Sequence, residues 1–386
     1  MSRVYVAVHP PIIRWALNRS GLSEEAIRVK LPGIGEWLMG ERRPTLKQLE
    51  TLARITRTPL GHFFLAEPPE ETLPIPYFRT IDDQIPKRPS PELLDTVYQM
   101  HLRQEWMREY LIEEGCRPLA YVGTADIDAA PTHIAAIMRM AVGLEPGWAE
   151  SLPTWEDAFR TMCEALEQSG VIVVANGVVG NNTHRKLDVN EFRGFVLADE
   201  YAPLIFVNAA DSKAARMFTL AHELAHVVLG ASAAFDLRAM QPAQHPIEDA
   251  CNKAAAEFLV PEAEIRATWP SALETPDPYQ AVARAFKVSL LVAARRALDV
   301  GLITKGQFFR FYESYMDRDR QKDKGNDGGG NFYATQDYRV GRRFAVAVAR
   351  AAREGRVSYT EAFRLTGLYG STFDKYVAHA EGGGLS

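Results

Sequence analysis

The sequence predicts an α+β protein that is mostly helical, and three observations lead there. Helical periodicity dominates both flanks of the chain. The β-branched runs are confined to one block, residues 170–208. That block leads directly into an apolar helix, FTLAHELAHVVLG (218–230), with two histidines and a glutamate at its centre.

Length and composition set the frame. A chain of 386 residues allows two or three domains, and 47% hydrophobic with 24% charged residues is ordinary for a soluble globular protein. The net charge of −5 gives no whole-molecule signal for nucleic acid. Cys116, Cys163 and Cys251 are odd in number and never in a CxxC pair, which argues against a disulfide scaffold and for a reducing, cytoplasmic location. The N-terminal MSRVYVAVHPP lacks the long apolar region of a secretory signal. No run approaches the ~18 uninterrupted apolar residues of a membrane span, so no membrane partner is expected.

The elements follow in chain order. Residues 1–66 read as a domain of short helices. One helix runs from Pro11 to Arg19, Ser23 with Glu24 and Glu25 starts another, and Pro44-Thr45 opens a third that Pro59 ends. Residues 67–90, beginning EPPEETLPIPYF, form a proline-rich linker. A helical region and the main domain occupy 91–316, with helices over 91–113, 131–142 and 154–169. GVIVVANGVVG (170–180) reads as a strand, and RGFVLADEYAPLIFVN (193–208) as a hairpin turning at Asp199–Ala202. The edge of that hairpin is expected to hold an extended substrate by strand addition. Asp211 or Ser212 caps the next helix, and Gly230 closes it. Helices then run from Pro246 to Val260, over 278–286 and over 289–299. DRDRQKDKGNDGGG (317–330) reads as a mobile loop, and 331–386 as a helical C-terminal domain.

The chemistry concentrates in His222-Glu223-Leu224-Ala225-His226, an HExxH match. Histidines at i and i+4 lie about 40° apart around a helix and about 6 Å apart along it, so both imidazoles can bind one ion. The glutamate beside the first histidine can reach water at that ion. Leu220, Leu224, Val227, Val228 and Leu229 surround the motif, so the helix is expected to be buried nearly all round. Ionisable groups in such a helix call for a compensating cation. A catalytic zinc usually takes three protein ligands and leaves one position open. For the third, Glu248 shares a stripe with Asn252, Ala255 and Leu259, and Asp249 lies about 100° away from that stripe. His245 and Cys251 are also chemically capable.

FTLAHELAHVVLG followed by EDACNKAAAEFLVP resembles the ImmA/IrrE metallopeptidases, intracellular zincin-like proteases that relieve a helix-turn-helix repressor. Glu248 and Asn252 match the family's second motif, and Phe258-Leu259-Val260-Pro261 closes it. Cys251 stands in the alanine position, and Ala254 replaces a phenylalanine. The likeness is strong over about 170–300, including PLIFVN before the motif and KVSLLVAARRAL after it. It implies a zincin-like fold, a small sheet plus the HExxH helix, and a gluzincin-like zinc (Zn2+) endopeptidase. His222, His226 and Glu248 would be ligands, Glu223 the general base, and Asn252 a support for the ligands. The implied reaction is attack of zinc-bound water on a peptide bond, with a helix-turn-helix repressor as substrate. Tyr201, His184 and His245 are candidates by type for stabilising the oxyanion.

RWALNRSGLSEEAIRVKLPGIGEWLMGERRPTLKQLETLARI (14–55) looks like an Xre-type helix-turn-helix, chiefly from Trp37 to Thr45. Residues 1–66 carry ten Lys/Arg against five Asp/Glu, a surplus that fits phosphate contact through Arg28, Lys30, Arg42 and Arg43. The stretch KLPGIGEWLM, where a recognition helix belongs, carries few base-reading side chains. Docking of a repressor, a toxin or another operon partner is therefore the competing role for this module. The alternative for the whole chain is a DNA-binding regulator or antitoxin-like protein whose metal site is structural or vestigial.

Overall fold

Proline, glycine and short polar caps set the helix boundaries, most of them where the sequence puts them. The computed structural model describes residues 4–71, 89–231, 233–235, 246–322 and 332–382. They divide into two compact units, residues 4–71 with 89–98, and the described residues from 99 onward.

In the first unit, α1 (Pro10–Ser20) opens on two prolines and stops at Gly21, whose φ of 65° suits glycine. The Ser23 hydroxyl accepts from the Ala26 N–H to start α2 (Glu24–Arg28), and α3 (Ile34–Met39) ends at Gly40. Thr45 and Gln48 form a reciprocal capping box on α4 (Leu46–Thr56). That helix ends before Pro59, on Arg57 in the left-handed region, and a 3-10 turn follows at Leu60–Phe64. Ile12, Ile13, Ile27, Ile34, Trp37, Leu49, Leu52 and Phe63 close the core. Arg19 is buried and held by Glu71 at 2.7 Å and Asp95 at 2.8 Å. Most of the proline-rich linker, residues 72–88, lies outside the described residues.

Helix α5 (Pro91–Glu113) contributes its first turns to the first unit and the remainder to the second. The second unit continues with α6 (Pro131–Val142) and α7 (Trp155–Ser169). Next come β1 (Ile172–Asn176), the small pair β2 (Val178–Val179) and β3 (Asn182–Lys186), then β4 (Gly194–Leu197) and β5 (Leu204–Asn208). The motif helix α8 (Lys213–Leu229), strand β6 (Ala233–Phe235) and α9 (Pro246–Leu259) follow. The remaining helices are α10 (Glu262–Leu273), α11 (Pro278–Phe286), α12 (Leu290–Asp299), α13 (Lys305–Lys322), α14 (Phe332–Val340), α15 (Arg342–Arg353), α16 (Tyr359–Thr366) and α17 (Ser371–Gly382).

The main sheet has the order β1-β5-β4-β6, with β1 parallel to β5 and the other pairs antiparallel. The hairpin of β4 and β5 forms as the sequence suggests, and the Asp199 carboxylate accepts from the Tyr201 and Ala202 N–H groups at 2.8 Å in its turn. Both of its strands are interior, however. β5 pairs with β1 and β4 pairs with β6, so this hairpin has no open edge for a substrate strand. The sequence could not reveal this, because β6 is a three-residue strand without a periodic pattern.

Two boundaries also shift. Helix α13 runs through Lys322, so the first six residues of the segment read as a mobile loop are helical. Residues 323–330 lie outside the described residues. The C-terminal helices, expected as a domain of their own, belong to the second unit. Arg103 of α5 holds them there. Its guanidinium donates to the Leu365 carbonyl at 2.9 Å and the Arg339 carbonyl at 3.0 Å, with Val340 and Thr366 carbonyls at 3.3 and 3.5 Å. It thereby satisfies the last carbonyls of α14 and α16 together. Among the described residues no helix is long and apolar enough to cross a membrane.

Candidate metal centre

The site is built from two helices pressed against each other and against the sheet. Ser212, rather than Asp211, caps α8 by accepting from the Ala215 N–H, while Asp211 pairs with Arg193 at 2.8 Å. Gly230 ends the helix with φ of 71°, and its N–H bonds back to the His226 and Val227 carbonyls. Every residue from Met217 to Val228 is buried, as the apolar surround of the motif predicts.

Close packing of α8 on the sheet depends on Gly194. A Cβ there would stand 2.5 Å from Thr219 Cγ2, 2.8 Å from the Phe206 carbonyl oxygen and 3.1 Å from Glu223 Oε1. This glycine, at the first residue of β4, is the site determinant that motif reading missed. Its signal was a glycine opening an otherwise apolar strand.

Helix α9 brings Glu248, in its first turn, to the two histidines. The Nε2 atoms of His222 and His226 lie 3.1 Å apart. Glu248 Oε2 is 3.2 Å from His222 Nε2, and Glu248 Oε1 is 3.3 Å from His226 Nε2. The two ring nitrogens and the two carboxylate oxygens thus converge, with one oxygen of Glu248 facing each ring. Bonds of about 2.0–2.1 Å to a tetrahedral ion place its ligand atoms roughly 3.3–3.4 Å apart, so this donor set fits such an ion closely. Asn252, one turn along α9, lies beside His222 and favours its protonated form, against the stronger effect of burial.

Electrostatics point the same way. Burial, then the neighbouring His226, pull His222 down to about 4 against its bonds to Glu248, so its ring is neutral, the form that binds metals. Burial would raise Glu248, but hydrogen bonds from His222 and His226 outweigh it and hold the carboxylate below its ordinary range. Glu223 is pushed well above that range by complete burial and then by the Glu248 charge. Neither Glu223 oxygen has a hydrogen-bond partner among the described residues. An unpartnered buried carboxyl costs several kcal/mol unless something else meets it.

Cys251 is also buried here, its Sγ within 4.8 Å of both histidine nitrogens. Burial and the charges of Glu248 and Glu223 push its thiol well up, so it stays protonated at neutral pH. The Glu248 oxygens, at 3.2 and 3.3 Å, also lie in reach of the two rings.

The remaining candidates lie elsewhere. Tyr201 sits in the β4–β5 turn under the Arg108 guanidinium, His184 is exposed on β3, and His245 lies outside the described residues. Arg28, Lys30, Arg42 and Arg43 are all exposed on the first unit. Arg28 is paired with Glu24 at 2.5 Å and Arg42 with Glu36 at 3.3 Å, which diminishes the charge they offer to phosphate.

Comparison with known families bears on two segments of the second unit. Residues 340–379 match a domain of unknown function, DUF8813. No curated protein and no solved structure matches the chain. Residues 166–298, which hold the main sheet, α8 and α9, match the family model of the IrrE N-terminal-like domain, Peptidase_M78, a likeness that supports a metallopeptidase reading of this segment.

Proposed function

We propose that this chain is a zinc-dependent endopeptidase in which His222, His226 and Glu248 hold the ion and Glu223 is the general base. One observation carries the reading. Three neutral or anionic donor groups converge within 3.3 Å of one another, while the adjacent Glu223 carboxyl is buried with no hydrogen-bond partner among the described residues. A bound zinc ion supplies a Lewis acid that polarises a carbonyl and makes water acidic near neutral pH. Glu223 takes up a proton on a carboxylate oxygen and hands it to the leaving amine. Asn252 and the close seat of α8 on Gly194 keep His222 and Glu223 in fixed positions.

An extended substrate fits the sheet at β6 better than at the interior hairpin. Phe235 of β6 pairs with Gly194, which borders Glu223, so a peptide added beside β6 would run along the site. The substrate proposed is a helix-turn-helix repressor, with residues 1–66 as the module that docks the repressor or DNA.

Glu223→Gln tests the reading. Bound zinc, measured by mass spectrometry, should remain at wild-type stoichiometry, while cleavage of a panel of helix-turn-helix repressors should fall by about 10²–10⁴-fold. Wild-type cleavage by this variant would remove Glu223 from the reaction. A second reading rests on the nearness of Cys251, a closed structural site with four protein ligands. Cys251→Ala separates the two: retention of zinc and cleavage supports the open site, and loss of zinc supports the closed one.

A further inference from the structure

A second concave site lies at the opposite end of the motif helix from its glycine cap. It is a cavity of about 950 Å³ at the carboxyl ends of the parallel strands β1 and β5, where α8 begins. Gly177 lets the two strand ends approach, since a Cβ there would stand 3.0 Å from the Ala210 nitrogen. Crevices at this position in α/β folds commonly take ligands.

The lining is unusual in charge. Lys186, Lys213, Arg216 and Arg339 all face the cavity, in a chain whose net charge is −5. The acidic residue of the lining, Glu156, is already paired with Lys213. Among the described residues Arg216 donates to the backbone carbonyls of Asp211 and Ala209, and Arg339 to the Asn181 amide oxygen. Among the described residues, Lys186, Arg216 and Arg339 have no carboxylate partner. The placement of Lys213 and Arg216 also runs against the dipole of α8. A helix start favours negative charge, yet this first turn has no acidic residue. An anion in the cavity would relieve both the mutual repulsion and the clash with the dipole.

Size and the remaining walls narrow the class of anion. The volume suits a ligand far larger than a bare phosphate. Trp155, Phe159 and Tyr338 supply aromatic surface, and the Trp155 ring is fixed by its N–H bond to the Val288 carbonyl at 3.2 Å. The Phe159 and Tyr338 rings lie 5.7 Å apart. Aromatic walls beside a cationic cluster match a planar base joined to phosphate. We propose that this cavity binds a nucleotide, its phosphates held by Lys186, Arg216 and Arg339 and its base against the aromatic walls. Arg216 is six residues from His222, about 9 Å along α8, so occupancy would steady the helix that carries the metal site.

Calorimetric titration of the full chain with ADP and with UDP tests this. Saturable binding is expected, weakened about tenfold or more by Lys186→Gln or Arg339→Gln, and further by both. Neither side chain holds the fold together, and an unchanged melting temperature of each variant checks that. Trp155→Ala should weaken ADP by about tenfold, with inorganic phosphate and adenosine each binding far more weakly than ADP. Absence of saturable binding by both nucleotides at millimolar concentration would overturn the proposal. So would wild-type affinity in the double variant, or phosphate binding as tightly as ADP. Glu223→Gln should bind ADP like the wild type, which keeps this test separate from that of the peptidase reading.

Discussion

Glu223 and Arg103 are both ionisable side chains removed from water, and their surroundings are opposite. Arg103 is 2% exposed, and its guanidinium meets four backbone carbonyls at the ends of two helices. Burial lowers it to about 10, so it stays charged at neutral pH. Glu223 is fully buried, is pushed well up by that burial, and meets no donor among the described residues. A buried charge with every bond made joins elements together. A buried carboxyl with none is a local cost that the fold carries for something outside the chain. Satisfaction of the polar atoms, more than burial itself, separates the structural group from the one proposed to act in catalysis.

Three substitutions sharpen or break that contrast. Arg103→Met leaves the carbonyl ends of α14 and α16 unmet and should cost about 4 kcal/mol in urea denaturation. Glu223→Gln, which removes no bond, should stay within about 0.5 kcal/mol of the wild type. The reverse ranking would overturn the distinction. Gly194→Ala should cost about 3 kcal/mol, because the added methyl meets the sheet backbone and Thr219 as well as Glu223. Zinc content should fall with it, and a variant as stable and as metal-loaded as the wild type would show that α8 can shift freely.

Glu167 is the intermediate case. It lies in the last turn of α7 and accepts from the Arg343 N–H at 3.3 Å, and burial, against that bond, raises it to about 7. Its folded value exceeds the unfolded one, so its contribution to stability is complete below about pH 4.5 and lost as pH rises through 7. Between pH 5 and 7 this should remove about 2 kcal/mol. Glu167→Gln keeps an acceptor and should flatten that slope in melts recorded across the same range. A slope unchanged in the variant would assign it to other groups.

Much of this was legible before any coordinates. HExxH spacing, the apolar run around it, Ser212 and Gly230 are local signals, fixed by helix geometry and capping. The histidine pair could therefore be read from thirteen residues. Glu248 was legible as one of several donors, because helix phase puts it on the inward stripe but does not say which donor reaches the ion. The helices at 91–113, 131–142 and 278–286 followed from the same periodicity. Strand β6 and the helical reading of 317–322 were missed, one being too short for a period and the other too charged to look packed.

The sequence by itself determined which residues could do chemistry and on which helices they stand, since propensity, capping and side-chain period act over a few residues. Tertiary structure decided the rest. It brought the Glu248 carboxylate within 3.3 Å of both rings, with Cys251 close by, and left Glu223 without a hydrogen-bond partner among the described residues. It made the hairpin interior and placed Arg103 across two helix ends more than 230 residues away. It also gathered four cations from β3, α8 and α14 into one cavity. Those are contacts between residues far apart in the chain, set by how apolar faces pack together, and no local pattern encodes them.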